Sequence, residues 1–130
     1  MVSRISFALT LGLGVILLAG CEQSSSEPKT QVSGEVTIAA SEWKFEPASI
    51  RSQVGKPTKL TLRNDGKTDH NITIQGMMAD GKEFVIQSKT GESTTMEFSP
   101  DKAGTYEIFC SLPGHKDAGM KGKVDVAAGG

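Results

Sequence analysis

The chain has 130 residues, a formal net charge of −1, and only two histidines and two cysteines. A chain of this length forms one domain with its own core and is too short for two ordinary ones. No basic patch interleaved with aromatic residues occurs, which argues against nucleic acid as a partner.

The first 20 residues have the pattern of an export signal. Arg4 precedes an uncharged apolar run, Phe7–Leu18, which is too short for a comfortable transmembrane helix. The following Leu-Ala-Gly-Cys ends at Cys21 and resembles the lipobox of bacterial lipoproteins, in which the signal is cut before a cysteine that is then lipidated. We therefore predict a cleaved signal peptide over residues 1–20 and lipid on Cys21. The alternative is an uncleaved anchor with an unmodified Cys21.

Residues 21–33 are predicted to be the lipidated cysteine and a flexible linker, because they are polar and lack aromatic side chains. This arrangement predicts an extracytoplasmic protein, periplasmic or at the cell surface, anchored by lipid to a bacterial membrane. An exported protein would normally pair two thiols. Lipid on Cys21 would leave Cys110 free, and a metal–thiolate bond would explain why a free thiol is retained.

Residues 34–130 contain short strand-like segments separated by turn signals. Polar and apolar residues alternate at period two, most clearly in Glu35–Ala40 and Thr58–Arg63, and no segment keeps a helical period over eleven residues. Many short strands at this spacing predict a single all-β domain, a sandwich or barrel, and Trp43 is predicted to lie in its core. The predicted strands are Glu35–Ala40, Glu42–Phe45, Ala48–Gln53, Thr58–Arg63, His70–Ile74, Glu83–Gln87, Thr94–Phe98, Thr105–Cys110 and Lys121–Val126.

Four residues form a candidate metal site. Cys110, His115 and Met120 follow one another as Cys-x4-His-x4-Met between two predicted strands, and His70 begins another strand. Two histidines, one cysteine and a weak axial methionine are the ligand set of a mononuclear blue-copper electron-transfer site. Calcium and magnesium prefer oxygen ligands instead. The predicted cofactor is one copper ion that alternates between Cu(I) and Cu(II).

Other interpretations of these residues are weaker. A cysteine nucleophile with a histidine base would need an orienting group and would leave Met120 without a role. Structural zinc prefers four strong donors and tolerates a thioether poorly. A dinuclear copper centre needs a second cysteine in the loop, and Ser111–Gly114 contains none. A domain that has lost its copper is disfavoured because every ligand is present. We therefore predict that the protein is not an enzyme.

The chain resembles the cupredoxins, the blue-copper family that includes plastocyanin, azurin and auracyanin. Cys110–His115 (Cys-Ser-Leu-Pro-Gly-His) is close to the ligand loop of azurin, whereas the five-residue step from His115 to Met120 is closer to auracyanin and plastocyanin. Lys44–Pro47 and Leu62–Gly66 also resemble the early strands of the family. The resemblance implies a Greek-key sandwich with copper at one pole.

The resemblance also implies roles for residues around the copper. Asn71 would join the two ligand loops through hydrogen bonds to the backbone near Cys110 or Ser111, the alternative being a solvent-facing strand residue. The Leu112 N–H would donate to the sulfur of Cys110. His115 would be the electron exit, and redox proteins would dock on an apolar patch around its edge, the alternative being ordinary loop packing. That patch would consist of Leu112, Pro113, Gly114 and Ala118.

The predicted function is one-electron transport between membrane-associated redox partners by a monomeric carrier. The alternative is an extracytoplasmic copper carrier or delivery protein with the same ligands. A Met-rich or His-rich tail would favour the copper-delivery function, and the sequence has neither. Met77 and Met78 are predicted to pack in a loop rather than to form an extra Cu(I) site, and contact of the Asp69 carbonyl with copper is left open.

Overall fold

A computed structural model describes residues 34–130, so the predicted signal peptide, Cys21 and the linker lie outside the described residues. Every regular element of the described part is a β-strand, which confirms the all-β prediction. Residues 34–130 hold no helix that is long and apolar enough to cross a membrane. The strands are β1 (Glu35–Ser41), β2 (Lys44–Glu46), β3 (Ser49–Gln53), β4 (Thr58–Asn64), β5 (His70–Ile74), β6 (Phe84–Ser88), β7 (Ser93–Phe98), β8 (Gly104–Phe109) and β9 (Lys121–Ala127).

The strands form two sheets with the orders β2-β1-β4-β7 and β3-β9-β8-β5-β6. The pairs β1–β4 and β3–β9 are parallel, and the other pairs are antiparallel. The chain crosses between the sheets after β2, β3, β4, β6 and β7. This topology confirms the predicted sandwich, and each predicted strand boundary lies within two residues of the observed one.

The core lies between the sheets and follows from alternation along the strands. In β4, buried and exposed or half-buried side chains alternate from Thr58 to Asn64, so Leu60 and Leu62 both point inward. β5 is buried along its whole length. The core consists of Val36, Ile38, Ala40, Phe45, Ile50, Leu60, Leu62, Ile72, Ile74, Met77, Phe84, Ile86, Phe98, Ile108, Cys110, Met120, Val124 and Val126.

Three neighbouring strands of the five-stranded sheet have ends at one pole of the sandwich. β5 begins at His70, β8 ends at Phe109 and β9 begins at Lys121. Because β8 lies between β9 and β5 and is antiparallel to both, these three ends meet at the same edge. Cys110 directly follows β8 and Met120 directly precedes β9. The topology therefore delivers His70, Cys110 and Met120 to one pole.

Candidate metal centre

His70, Cys110 and His115 bring three donor atoms together at this pole. The Nδ1 atoms of the two histidines lie 3.3 Å apart, and the Cys110 sulfur lies 3.3 Å from Nδ1 of His115. One donor atom from each residue falls within 4.8 Å of the other two. His70 and Cys110 are fully buried, whereas His115 is half-buried. The cluster thus has two interior ligands and one that reaches the surface.

The spacing of these donors suits one first-row metal ion. Histidine nitrogens bind such an ion at about 2.0–2.1 Å and cysteine sulfur at about 2.3 Å, so ligands of one ion lie roughly 3.3–4 Å from one another. Two of the three separations are 3.3 Å and match that range, and the atoms of the third pair, in His70 and Cys110, lie within 4.8 Å of each other. A thiolate with two imidazoles in a trigonal set is the donor chemistry of blue copper. The residues therefore fit copper.

The loop between β8 and β9 is closed by backbone hydrogen bonds that place Met120 beside Cys110 and His115. The N–H of Cys110 donates to the Met120 carbonyl, and the N–H of Met120 donates to the His115 carbonyl, both at 3.1 Å. The reversal uses Gly114 and Gly119 at positive φ, a conformation that glycine adopts without steric cost. Met120 is completely buried.

Asn71 links β5 to the ligand loop, in the arrangement that the family resemblance implied. Its Nδ2 donates to the Ser111 hydroxyl at 2.9 Å, and its Oδ1 accepts the Ser111 N–H at 2.8 Å. The Thr73 hydroxyl adds a bond of 3.2 Å to the same hydroxyl. Asn71 is only 4% exposed, so it is not a solvent-facing strand residue. These bonds hold the Cys110 end of the loop against the His70 end of β5.

The Cys110 sulfur accepts the backbone N–H of Asn71 at 3.5 Å. Leu112 is half-buried against the core. The hydrogen bond from its N–H to the Cys110 sulfur stays a prediction.

Met77 is fully buried and Met78 packs against the core, which agrees with the predicted loop packing. The three other residues of the predicted docking patch are exposed: Pro113, Gly114 and Ala118.

The prediction that Trp43 lies in the core is wrong. Its side chain is 43% exposed, and its ring meets the His115 ring edge-on with the centroids 4.8 Å apart. Trp43 lies in the turn between β1 and β2, where period-two alternation no longer controls which way a side chain points. It therefore belongs to the surface around His115.

Glu42, the residue before Trp43, is a neighbour of the site that sequence reasoning missed. Its Oε1 lies 3.5 Å from Nε2 of the buried His70 and accepts the backbone N–H groups of Lys67 and Thr68 at 2.6 and 3.1 Å. The Lys67 N–H is the main cause that lowers the pKa of Glu42 to about 2. Burial, followed by the charge of His115, lowers the pKa of His70 and favours its neutral form. Nothing in the sequence signals this contact, because it joins two separate turns.

Known proteins share this architecture. The sequence model of the cupredoxin-like domain matches residues 10–126. The chain is 29% identical over 98 residues to the copper-resistant cuproprotein CopI of Rubrivivax gelatinosus, in a match that spans 64% of this chain and 59% of that protein. Dithionite-reduced auracyanin from Roseiflexus castenholzii has a TM-score of 0.66 at 23% identity, covering 74% of this chain and 98% of its own. Auracyanin A from Chloroflexus aurantiacus has a TM-score of 0.57 at 22% identity, and the match covers 72% of this chain and 99% of auracyanin A.

The structural neighbours share the two-sheet fold, and the family match extends over most of the chain, including all four residues of the predicted ligand set. Within the described residues, the one cluster of metal-ligating side chains lies at the pole where the ends of β5, β8 and β9 meet. The chain therefore belongs to the cupredoxin-like domain family, and its donor cluster is positioned to bind one copper ion.

Proposed function

We propose that this protein carries single electrons on one mononuclear type 1 copper, with His70, Cys110 and His115 as the strong ligands and Met120 as the weak axial ligand. The observation that carries the proposal is the convergence of two imidazole Nδ1 atoms and one cysteine sulfur at a pole where His115 reaches the surface. Bound copper supplies a one-electron couple between Cu(I) and Cu(II).

The surrounding residues hold the donors in place. Asn71 and Ser111 tie β5 to the ligand loop, while Met120 and Cys110 close that loop through their backbone. Ligands held by packing and by hydrogen bonds to their neighbours keep one geometry, so little has to move when the charge at the site changes. A rigid site of this kind favours rapid electron exchange.

Electrons would leave through His115 to a redox protein docked on the His115 face, which we define as Trp43, Leu112, Pro113, Gly114 and Ala118. Trp43 packs directly on the His115 ring, and the five residues of the face are uncharged, with Lys116 and Asp117 beside them in the same loop. Exposed apolar groups around a single half-buried ligand suit an apolar partner surface in a transient complex.

The visible absorption spectrum tests the proposal. Purified protein titrated with Cu(II) is expected to develop an intense charge-transfer band that bleaches with ascorbate and returns on oxidation. A colourless protein that nevertheless holds Cu(I) would favour copper delivery instead. Failure to bind copper in either state would contradict both functions.

Copper carriage is the second candidate because the relative from Rubrivivax gelatinosus is described as a copper-resistant cuproprotein. Two rates separate the functions: electron self-exchange between oxidised and reduced copies, followed by NMR line broadening, and loss of Cu(I) to a competing chelator. An electron carrier exchanges electrons rapidly and releases copper slowly. A copper carrier exchanges electrons slowly and releases copper rapidly.

Copper loading is expected to quench the fluorescence of Trp43, the only tryptophan of the chain. Its ring lies 4.8 Å from the ring of a proposed copper ligand, close enough for excited-state electron transfer to Cu(II). Emission should fall on loading and recover when a chelator removes the metal. Zinc, which has no redox chemistry, is the matched control and should leave most of the emission. Unchanged emission with Cu(II) bound would place the ion away from His115.

We also propose an extracytoplasmic location with a lipid anchor on Cys21, as the lipobox-like sequence suggests. Cys21→Ser is expected to move the protein from the membrane fraction to the soluble fraction. Fractionation of cells that express either form measures this, and a mutant that still sediments with membranes would indicate a spanning anchor. Cys110→Ser is the matched control, because it removes the other cysteine and should not change the fractionation.

A further inference from the structure

The imidazole of His70 has a second nitrogen that the proposed copper site does not use. His70 is fully buried, and its Nε2 has no hydrogen-bond partner within the described residues. A buried polar atom without a hydrogen-bond partner is destabilising, so such an atom calls for an explanation. When Nδ1 is the ligand atom, the ring proton resides on Nε2 and needs an acceptor.

A carboxylate oxygen of Glu42 lies beside that nitrogen. Its Oε1 is 3.5 Å from Nε2 of His70, longer than the roughly 2.7–3.2 Å of a formed N–H···O bond and close enough for a small movement of the carboxylate to form one. The carboxylate is held by the backbone N–H groups of Lys67 and Thr68 and by the Thr68 hydroxyl at 3.4 Å. A side chain on the surface would normally swing freely, but three donors aim this one at the histidine.

Gly66 leaves the space in which the two groups meet. A Cβ at this position would lie 2.7 Å from Nε2 of His70 and 2.8 Å from Oε1 of Glu42. The Asn64 side chain shapes the turn, because its Oδ1 accepts the Gly66 N–H at 2.9 Å and its Nδ2 donates to the Thr68 carbonyl at 2.8 Å. The turn before β5 thus brings carboxylate and imidazole together without an intervening side chain.

We infer that Glu42 is a positioning residue that accepts the Nε2–H of His70, orients this ring and lowers the reduction potential of the site. The inference rests on the proposed function, in which His70 binds copper through Nδ1. A carboxylate on the remote nitrogen of a ligating histidine fixes the tautomer and makes the imidazole a stronger donor. A stronger and more negative donor set favours Cu(II) over Cu(I).

Glu42→Gln keeps an acceptor oxygen and removes the charge. Outer partners of metal ligands typically change metal affinity 10- to 100-fold, so we expect the affinity for Cu(II) relative to Cu(I) to fall about tenfold. A tenfold change corresponds to a rise of about 59 mV in potential for a one-electron couple. Voltammetry of the copper-loaded wild type and variant measures this difference in reduction potential.

Glu35→Gln is the matched control for charge. Glu35 is exposed at the start of β1, and Glu42 follows the end of the same strand. Six steps of about 3.3 Å separate Glu35 from Ser41, which puts the control charge roughly 20 Å from Glu42. Since a Debye length is about 8 Å at physiological ionic strength, this variant should leave the potential nearly unchanged.

Gly66→Ala tests the contact without changing the charge of the protein. The added methyl group would displace the partly exposed Glu42 carboxylate more easily than the buried ring, so the potential should rise as in Glu42→Gln. NMR of the metal-free protein gives a reading that does not depend on copper. In the wild type, His70 is expected as the Nε2–H tautomer with slow proton exchange, and in Gly66→Ala this exchange should accelerate.

The outcomes separate the two proposals. A potential that rises in Glu42→Gln and Gly66→Ala but not in Glu35→Gln supports the role of Glu42. Equal potentials in Glu42→Gln and Glu35→Gln would overturn it, even if the wild type is a good blue-copper protein. A wild type that binds no copper would contradict the proposed function. In that case the tautomer of His70 in the metal-free protein would test the inference about Glu42. A proton on Nδ1 of His70 in that protein overturns the inference, and a proton on Nε2 supports it.

Discussion

Replacing Cys110 by serine is expected to abolish the intense visible band and to weaken Cu(II) binding by about 100-fold or more. The band requires a copper–thiolate bond, and Cys110 is the only cysteine in the described residues. Residues one step removed from a metal already contribute 10- to 100-fold in affinity, so a direct ligand should contribute at least as much. Absorption spectra and competition with a copper chelator measure the two effects.

Met120→Leu is the matched control. It also removes a proposed ligand from the β8–β9 loop, and leucine is similar in size to the methionine that it replaces. Loss of the weak axial thioether should leave copper bound and the band intact, while the potential rises because Cu(II) loses a donor. Serine in place of Cys110 is nearly isosteric, so circular dichroism should show an unchanged fold. A band that persists in Cys110→Ser would sink the assignment of the thiolate. An unchanged potential in Met120→Leu would remove that residue from the site.

Most of the fold could be predicted from sequence because short strands leave a local signal. Thr58–Arg63 alternates at period two, and β4 buries every second side chain over nearly the same residues. Strand pairing has no such local signal. The parallel contacts of β1 with β4 and of β3 with β9 join distant segments, so only the family resemblance could anticipate the topology.

The proposed ligand set could be predicted from the sequence for a different reason. The chain has only two histidines, and Cys110, His115 and Met120 lie within one loop, so few combinations of donors existed. Glu42 and Trp43 could not be found in this way. They lie in a turn of the other sheet, and their contacts with the two histidines arise only when the sheets pack.

That turn gives the site a property that neither sheet has alone. Two consecutive residues contact different proposed ligands: Glu42 lies beside Nε2 of His70, and Trp43 packs on the ring of His115. The five-stranded sheet and its β8–β9 loop supply the proposed copper ligands, and the β1–β2 turn of the four-stranded sheet lies against both imidazole rings. Donor geometry in this protein is therefore coupled to how the two sheets pack.

Gly122→Ala is expected to destabilise the protein by about 3 kcal/mol or more, at the upper end of the 1–3 kcal/mol that overpacking usually costs. An added Cβ would collide with the Ala48 carbonyl oxygen and would lie 3.1 Å from its carbon. These are backbone atoms, and the same oxygen accepts the Lys123 N–H at 2.8 Å. Relief therefore requires β3, an edge strand paired only with β9, to move away from its partner.

Thermal unfolding of the metal-free protein measures this effect, with an expected decrease in Tm of roughly 12–24 °C, since 1 kcal/mol shifts the Tm of a domain of this size by about 4–8 °C. Gly130→Ala makes the same chemical change where no atom lies within 4 Å, and it should leave the Tm unchanged. Because Gly122 follows Met120 by two residues, any folded Gly122→Ala protein should also bind copper more weakly. A Tm equal to that of Gly130→Ala would mean that β3 and β9 do not approach as closely as the structure places them.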